Sequence, residues 1–145
     1  MRRGALDDDQ EVTTAPAAFE LEILVAPDDV EELDHVNNVV YLRWVQNAAA
    51  AHWRALAPPE DQAAIAWVVL RHEIDYKTAA FPADEIQLLT WVGKATRLTF
   101  ERFTEIKRKA DGQLLARART LWCPIDPNTG KPTRVPAEVR AQFST

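Results

Sequence analysis

The sequence predicts an α+β domain, in which an antiparallel sheet of about five strands wraps around one long central helix. Three observations predict it. An alternating stretch opens the patterned region, one run of helical period follows, and four more alternating stretches come after it without a second large helix. A sheet of that kind has one apolar face to cover, and the single apolar helix is what the chain offers to cover it.

The elements follow in order. Residues 1–18 are polar, acidic at Asp7, Asp8 and Asp9, and without period, so a mobile tail is expected there, ahead of one domain over 19–145. Phe19 to Val25 alternates apolar and acidic residues and reads as a strand, broken by Pro27, Asp28 and Asp29. Asn37 or Asn38 can cap the helix, because a short amide side chain accepts from the unsatisfied amides of a first turn. Tyr41, Val45, Ala48, Ala49, His52, Trp53 and Leu56 recur at helical spacing, and Pro58 and Pro59 end the run. The small residues Ala48 to Ala51 let other backbone come close.

Strands then dominate. In Ala66 to Tyr76, Val68, Leu70, Ile74 and Tyr76 are expected on one face and Arg71, Glu73 and Asp75 on the other. Ile86 to Lys94 and Leu98 to Lys107 continue the alternation, and Asp111-Gly112 makes a hairpin turn into Gln113 to Cys123. The last strand carries Ala116, Ala118 and Thr120 on one face, small enough to seat a helix. Pro124 to Pro136 is turn-rich, and Ala137 to Phe143 reads as a short terminal helix.

Composition narrows the function. A length of 145 residues suits one domain with one core. The net charge of -5 lacks the basic face that phosphate backbones require, which argues against nucleic acid as partner. No apolar run approaches the roughly 18 residues of a membrane span, and no leader-like stretch follows Arg2 and Arg3. The one cysteine, Cys123, excludes an internal disulfide and fits a reducing compartment, so a cytoplasmic location is expected. Three scattered histidines make no metal site, and neither metal nor other cofactor is expected.

The chemistry concentrates in Asp29-Val30-Glu31-Glu32-Leu33-Asp34-His35-Val36-Asn37-Asn38-Val39-Val40-Tyr41-Leu42-Arg43-Trp44. This segment resembles the start of the central helix in hotdog-fold thioesterases of the 4-hydroxybenzoyl-CoA and acyl-ACP type. Those families commonly read Asp-x-Asp-x-x-Gly-His-Val-Asn-Asn-x-x-Tyr. The sharp part of the match is His35-Val36-Asn37-Asn38 with Tyr41 and Trp44. Asp29 matches the first acidic residue and Glu31 stands where the catalytic Asp is expected. Asp34 replaces the usual Gly, and Leu33 stands where plant-type acyl-ACP thioesterases have an Asn thought to assist catalysis.

The resemblance implies a hotdog fold and hydrolysis of an acyl-CoA or acyl-ACP thioester, with Glu31, His35 and Asn38 as catalytic candidates. Asn37, Val39, Tyr41 and Asp75 are the implied substrate contacts, with Glu73 beside Asp75 as a further carboxylate. Hydrolysis needs a nucleophile and stabilisation of the developing oxyanion. Free amides and the positive end of a helix supply the second, and a nearby carboxylate can activate water or attack directly. The resemblance also implies a homodimer or homotetramer joined at sheet edges, which would satisfy the exposed edges of a single curled sheet.

Each residue has a plainer role open to it. The acidic segment also reads as a solvated loop before a helix, His35 as a turn-holder, and Asn37 and Asn38 as caps. Tyr41 and Trp44 also read as packing, and His52, His72 and Cys123 as structural. Two other functions stay open: a non-catalytic acyl-thioester-binding or dimerisation module, and a hotdog dehydratase or hydratase.

Overall fold

The structure, a computed structural model of the chain, describes residues 18–31 and 34–144. The tail expected over 1–18 therefore lies, except for Ala18, outside the described residues. In order the elements are β1 (Phe19–Leu24), α1 (Asn38–Leu56), α2 (Pro59–Ala64), β2 (Ala66–Tyr76), β3 (Glu85–Ala95), β4 (Phe100–Arg108), β5 (Leu114–Ile125) and α3 (Ala137–Phe143). The five strands form one antiparallel sheet in the order β1-β3-β4-β5-β2, with β1 and β2 at its edges.

The expected small face of β5 does seat the helix. Ala116, Ala118 and Thr120 are all but inaccessible, and Val45 and Ala48 of α1 are fully buried. Tyr41, Trp44, Val45 and Ala48 share one core with Ile86, Leu88, Ile106 and Leu115 from three strands. Each such aliphatic side chain contributes about 1.5–3 kcal/mol through burial. A second cluster closes the far end of α1, where Ile65, Val135, Val139 and Phe143 pack with Trp53, Trp67 and Phe100.

Strand β2 departs from simple alternation. Its register against β5 slips between Val69 and Arg71, leaving Leu70 as an extra residue. Such a bulge inverts the parity of everything beyond it. Trp67 before the bulge therefore meets Trp53 of α1, while His72 and Tyr76 beyond it meet Gln46 and Tyr41. The expected grouping of Val68 and Leu70 with Ile74 and Tyr76 is corrected accordingly: Val68 is 40% exposed and Leu70 54%. Strand β4 starts at Phe100 rather than Leu98, because Thr96 Oγ1 accepts from the amides of Leu98 and Thr99 and holds a turn there. The Asp111-Gly112 turn forms as expected, with Gly112 at φ 71° and Asp111 Oδ1 accepting from Gln113 N.

Candidate active site

The segment before α1 is a tight loop closed on itself. Val30 and Val36 form an antiparallel bridge, Glu31 N donates to His35 O at 3.0 Å, and Asp34 N donates to Glu31 O at 2.9 Å. Asp34 stands in the left-handed region here, at φ 65°. Asp fills this position without a glycine because its short polar side chain tolerates that conformation better than most. Residues 32 and 33 lie outside the described residues, and with them the position where an assisting Asn would be expected.

The loop brings Glu31 and His35 together, with Glu31 Oε2 2.9 Å from His35 Nε2. Both remain within reach of a ligand, at 42% and 29% side-chain exposure. Asp29 has a different part. Its carboxylate is 4% exposed, accepting from Arg43 Nη2 at 2.6 Å and from Ala26 N at 2.9 Å. Its carbonyl accepts from Asn37 N at 2.9 Å. Asp29 thus ties the loop to the helix through a charge-assisted bond rather than facing a ligand.

Asn37 is the cap, its Oδ1 accepting from Val39 N at 3.0 Å. That bond occupies Val39 N–H and leaves Asn38 N–H as the first-turn donor without an acceptor among the described residues. Val39 projects its side chain outward, 69% exposed. Tyr41 does not: it is 2% exposed and its hydroxyl accepts from Ala80 N at 2.9 Å. Burial accordingly raises the phenol pKa. Ala80 O in turn accepts from Val36 N at 2.9 Å, so the loop after β2 is stapled to the residues ahead of α1.

Asp75 is not brought to this group. Ile74 packs on the core and Tyr76 meets Tyr41, so strand parity sends Asp75 to the opposite face of the sheet. Glu73 shares that outer side, paired with Arg71 at 2.7 Å and Arg119 at 3.4 Å. Among the described residues no cluster of His, Cys, Asp and Glu has the makings of a metal site, and no helix is long and apolar enough to cross a membrane.

Two sets of polar contacts under α1 join His72 and His52, both read from the sequence as structural, to partners the sequence did not indicate. His72 Nδ1 lies 3.0 Å from Thr120 Oγ1 and its Nε2 3.4 Å from Gln46 Nε2. Burial lowers its pKa. Arg102, only 8% exposed, donates from Nη1 to His52 Nδ1 at 3.0 Å and to Thr90 Oγ1 at 3.1 Å. Burial first, then the adjacent guanidinium, lowers the His52 pKa to about 4, while burial lowers Arg102 to about 10. Parity offered a signal for it, since Arg102 stands in register with the apolar positions Phe100 and Ile106 of its strand.

Residues 25–143 match the family described as the thioesterase-like superfamily. A chloroplastic acyl-[acyl-carrier-protein] hydrolase of Cuphea viscosissima is 27% identical over 77 residues, which are 53% of this chain and 19% of that protein. The chain therefore spans about a fifth of the length of that curated relative. Among solved structures, a 1,4-dihydroxy-2-naphthoyl-CoA thioesterase from Synechocystis superposes with a TM-score of 0.74 at 21% identity, covering 87% of this chain and 95% of the other. The probable thioesterase YbaW of Escherichia coli superposes with a TM-score of 0.71 at 23% identity, covering 87% and 98%. At these identities the superpositions show the shared hotdog fold.

Proposed function

The chain belongs to the thioesterase-like superfamily, and on that premise we propose that it hydrolyses an acyl thioester at the Glu31–His35 pair ahead of α1. The observation that carries this reading is the 2.9 Å contact between Glu31 Oε2 and His35 Nε2, three residues along the chain from the first-turn Asn38 N–H that has no acceptor among the described residues. In this reading the thioester carbonyl oxygen accepts from Asn38 N–H, where the positive end of α1 favours the oxyanion. Glu31 takes a proton from water as the water oxygen bonds to the carbonyl carbon, and His35 holds the carboxylate in position. The tetrahedral intermediate then collapses, the carbon–sulfur bond breaks, and the thiolate leaves with the proton Glu31 had taken. The acid and the free thiol are the products, and the carrier is coenzyme A or an acyl carrier protein.

We also propose a homodimer paired through β2. That strand is a sheet edge, and a two-fold axis across it makes an antiparallel pair. Within one chain the end of β2 lies at the start of α1, through Tyr76 Oη donating to Asn38 O at 3.1 Å. The beginning of β2 lies at the far end of α1, through Trp67 against Trp53. Antiparallel pairing of β2 with its copy therefore carries the partner's α1 start toward this chain's Trp53–Trp67 end. We infer a cytoplasmic location as well, supported by the unbridged, buried Cys123.

The test is thiol release from a panel of acyl-CoAs and acyl carrier proteins, alongside light scattering for the dimer. Turnover of at least one thioester is expected, and Glu31→Gln should lower it on the order of 100-fold or more at unchanged melting temperature. Absence of turnover across the whole panel by folded protein would sink the hydrolase reading.

A further inference from the structure

The far end of α1 holds a cavity of about 770 Å³. Its walls include Trp53, Trp67, Phe100, Trp122 and Phe143, and Arg102 of β4 contributes to its lining. An apolar cavity of this size suits a small organic group, but the guanidinium is out of keeping with a plain hydrocarbon.

Arg102 is more than nine-tenths buried, and no described carboxylate pairs with it. Its two partners are the neutral side chains His52 and Thr90, both reached from the same nitrogen, Nη1. No described acceptor meets Nε or Nη2. Because Arg102 Nη1–H donates to His52 Nδ1, that imidazole carries its own proton on Nε2 and brings no negative charge. The guanidinium keeps its proton at neutral pH even with its pKa lowered to about 10.

The carboxylate in the lining, Glu101, is engaged elsewhere, accepting from Arg119 Nε at 2.6 Å and from Lys94 N at 2.9 Å. The indole Nε1–H groups of Trp67 and Trp122, both in the cavity wall, are buried without an acceptor among the described residues. A buried charge without its counter-charge is costly, and a carboxylate is the group that fits a guanidinium in two-pronged fashion.

We propose that this cavity takes the distal end of an acyl group that bears a carboxylate there, with Arg102 as the residue that selects it. The substrate is then the half-thioester of a dicarboxylic acid, its hydrocarbon portion among the tryptophans and its free carboxylate on the guanidinium. This inference rests on the dimeric hydrolase reading above. The cavity lining runs along α1 from Gln46 to Arg54, about 12–24 Å from the chain's own Asn38 at 1.5 Å per residue, and β2 pairing sets the partner's helix start near its mouth.

The test compares three CoA thioesters of equal chain length, ending in methyl, in carboxylate, and in the methyl ester of that carboxylate. Wild type should prefer the carboxylate over both neutral substrates in kcat/KM, on the order of 10- to 100-fold. Arg102→Met should erase that preference while retaining turnover of the methyl-ended substrate. In parallel, the free dicarboxylic acid is titrated against tryptophan fluorescence, which needs no turnover and no variant. Saturable quenching by the diacid but not by its dimethyl ester is expected. Equal handling of acid and ester by wild type, or a preference untouched in folded Arg102→Met, overturns the proposal. Diacid binding by a protein that cleaves no thioester would sustain the Arg102 site and remove the hydrolase reading instead.

Discussion

Asp29 and Arg43 are joined by a 2.6 Å bond between a buried carboxylate and a half-exposed guanidinium, and that bond fixes the angle at which the Glu31 loop meets α1. The same carboxylate satisfies Ala26 N, so one side chain holds both ends of the turn that precedes Glu31. Asp29→Ala should leave Ala26 N–H and one Arg43 contact without a partner. The expected destabilisation is about 1–3 kcal/mol by urea unfolding, with part of the loss offset because Arg43 can turn to water. An unfolding midpoint equal to wild type would show that the bond contributes nothing.

Tyr41→Phe isolates the hydroxyl from the ring. The ring stays buried, while Ala80 N–H loses its acceptor, so a loss of about 1–3 kcal/mol is expected with little change in KM. A KM that rises tenfold at unchanged stability would mean that Tyr41 touches substrate after all.

Asp34 can be tested through its backbone alone. At φ 65°, Asp34→Gly should be neutral or stabilise by up to about 1 kcal/mol, and Asp34→Ala should destabilise by about 1 kcal/mol. Melting temperatures of the two variants check this, and the opposite order would contradict the left-handed turn.

His52 predicts a pH dependence whose sign follows from its environment. Its folded pKa is about 4, below the ordinary value of 6.5 that the unfolded chain retains. Between those values the unfolded state binds more proton than the folded state, so stability falls as pH drops from about 6.5 to about 4 and levels off below. The contribution is about 3 kcal/mol at most, at 1.36 kcal/mol per pKa unit. His52→Gln keeps an acceptor for Arg102 and should flatten this part of the profile. Identical acid profiles for variant and wild type would argue against a neutral buried imidazole.

Ala118 probes the seat of the helix. It is 2% exposed within the core shared with α1, so Ala118→Leu must push α1 off the sheet or distort its own rotamer. A loss of about 1–3 kcal/mol or more is expected by denaturant unfolding.

Much of this molecule was legible along the chain. The strand of Phe19 to Leu24, the helix bounded by Asn37 and Pro58, the Asp111-Gly112 turn and the small face of Ala116 and Ala118 are local or periodic features, and periodicity reports them directly. The segment Glu31 to Tyr41 was likewise readable as a candidate site, because helix caps and the residues before them are neighbours in sequence. Which residues of that segment stay accessible was decided by folding. Asp29 and Tyr41 turn inward to Arg43 and Ala80, whereas Glu31 and His35 stay half-open. The bulge at Leu70 and the Arg102–His52 contact also belong to the tertiary level. A bulge exists only in the pairing of two strands, and Arg102 meets His52 across 50 residues of chain. Sequence by itself determined the fold class and the place of the candidate site, since both follow from short-range pattern. Only the packing of helix on sheet decided which polar groups are buried, paired or left seeking a partner, because burial depends on neighbours that are remote along the chain.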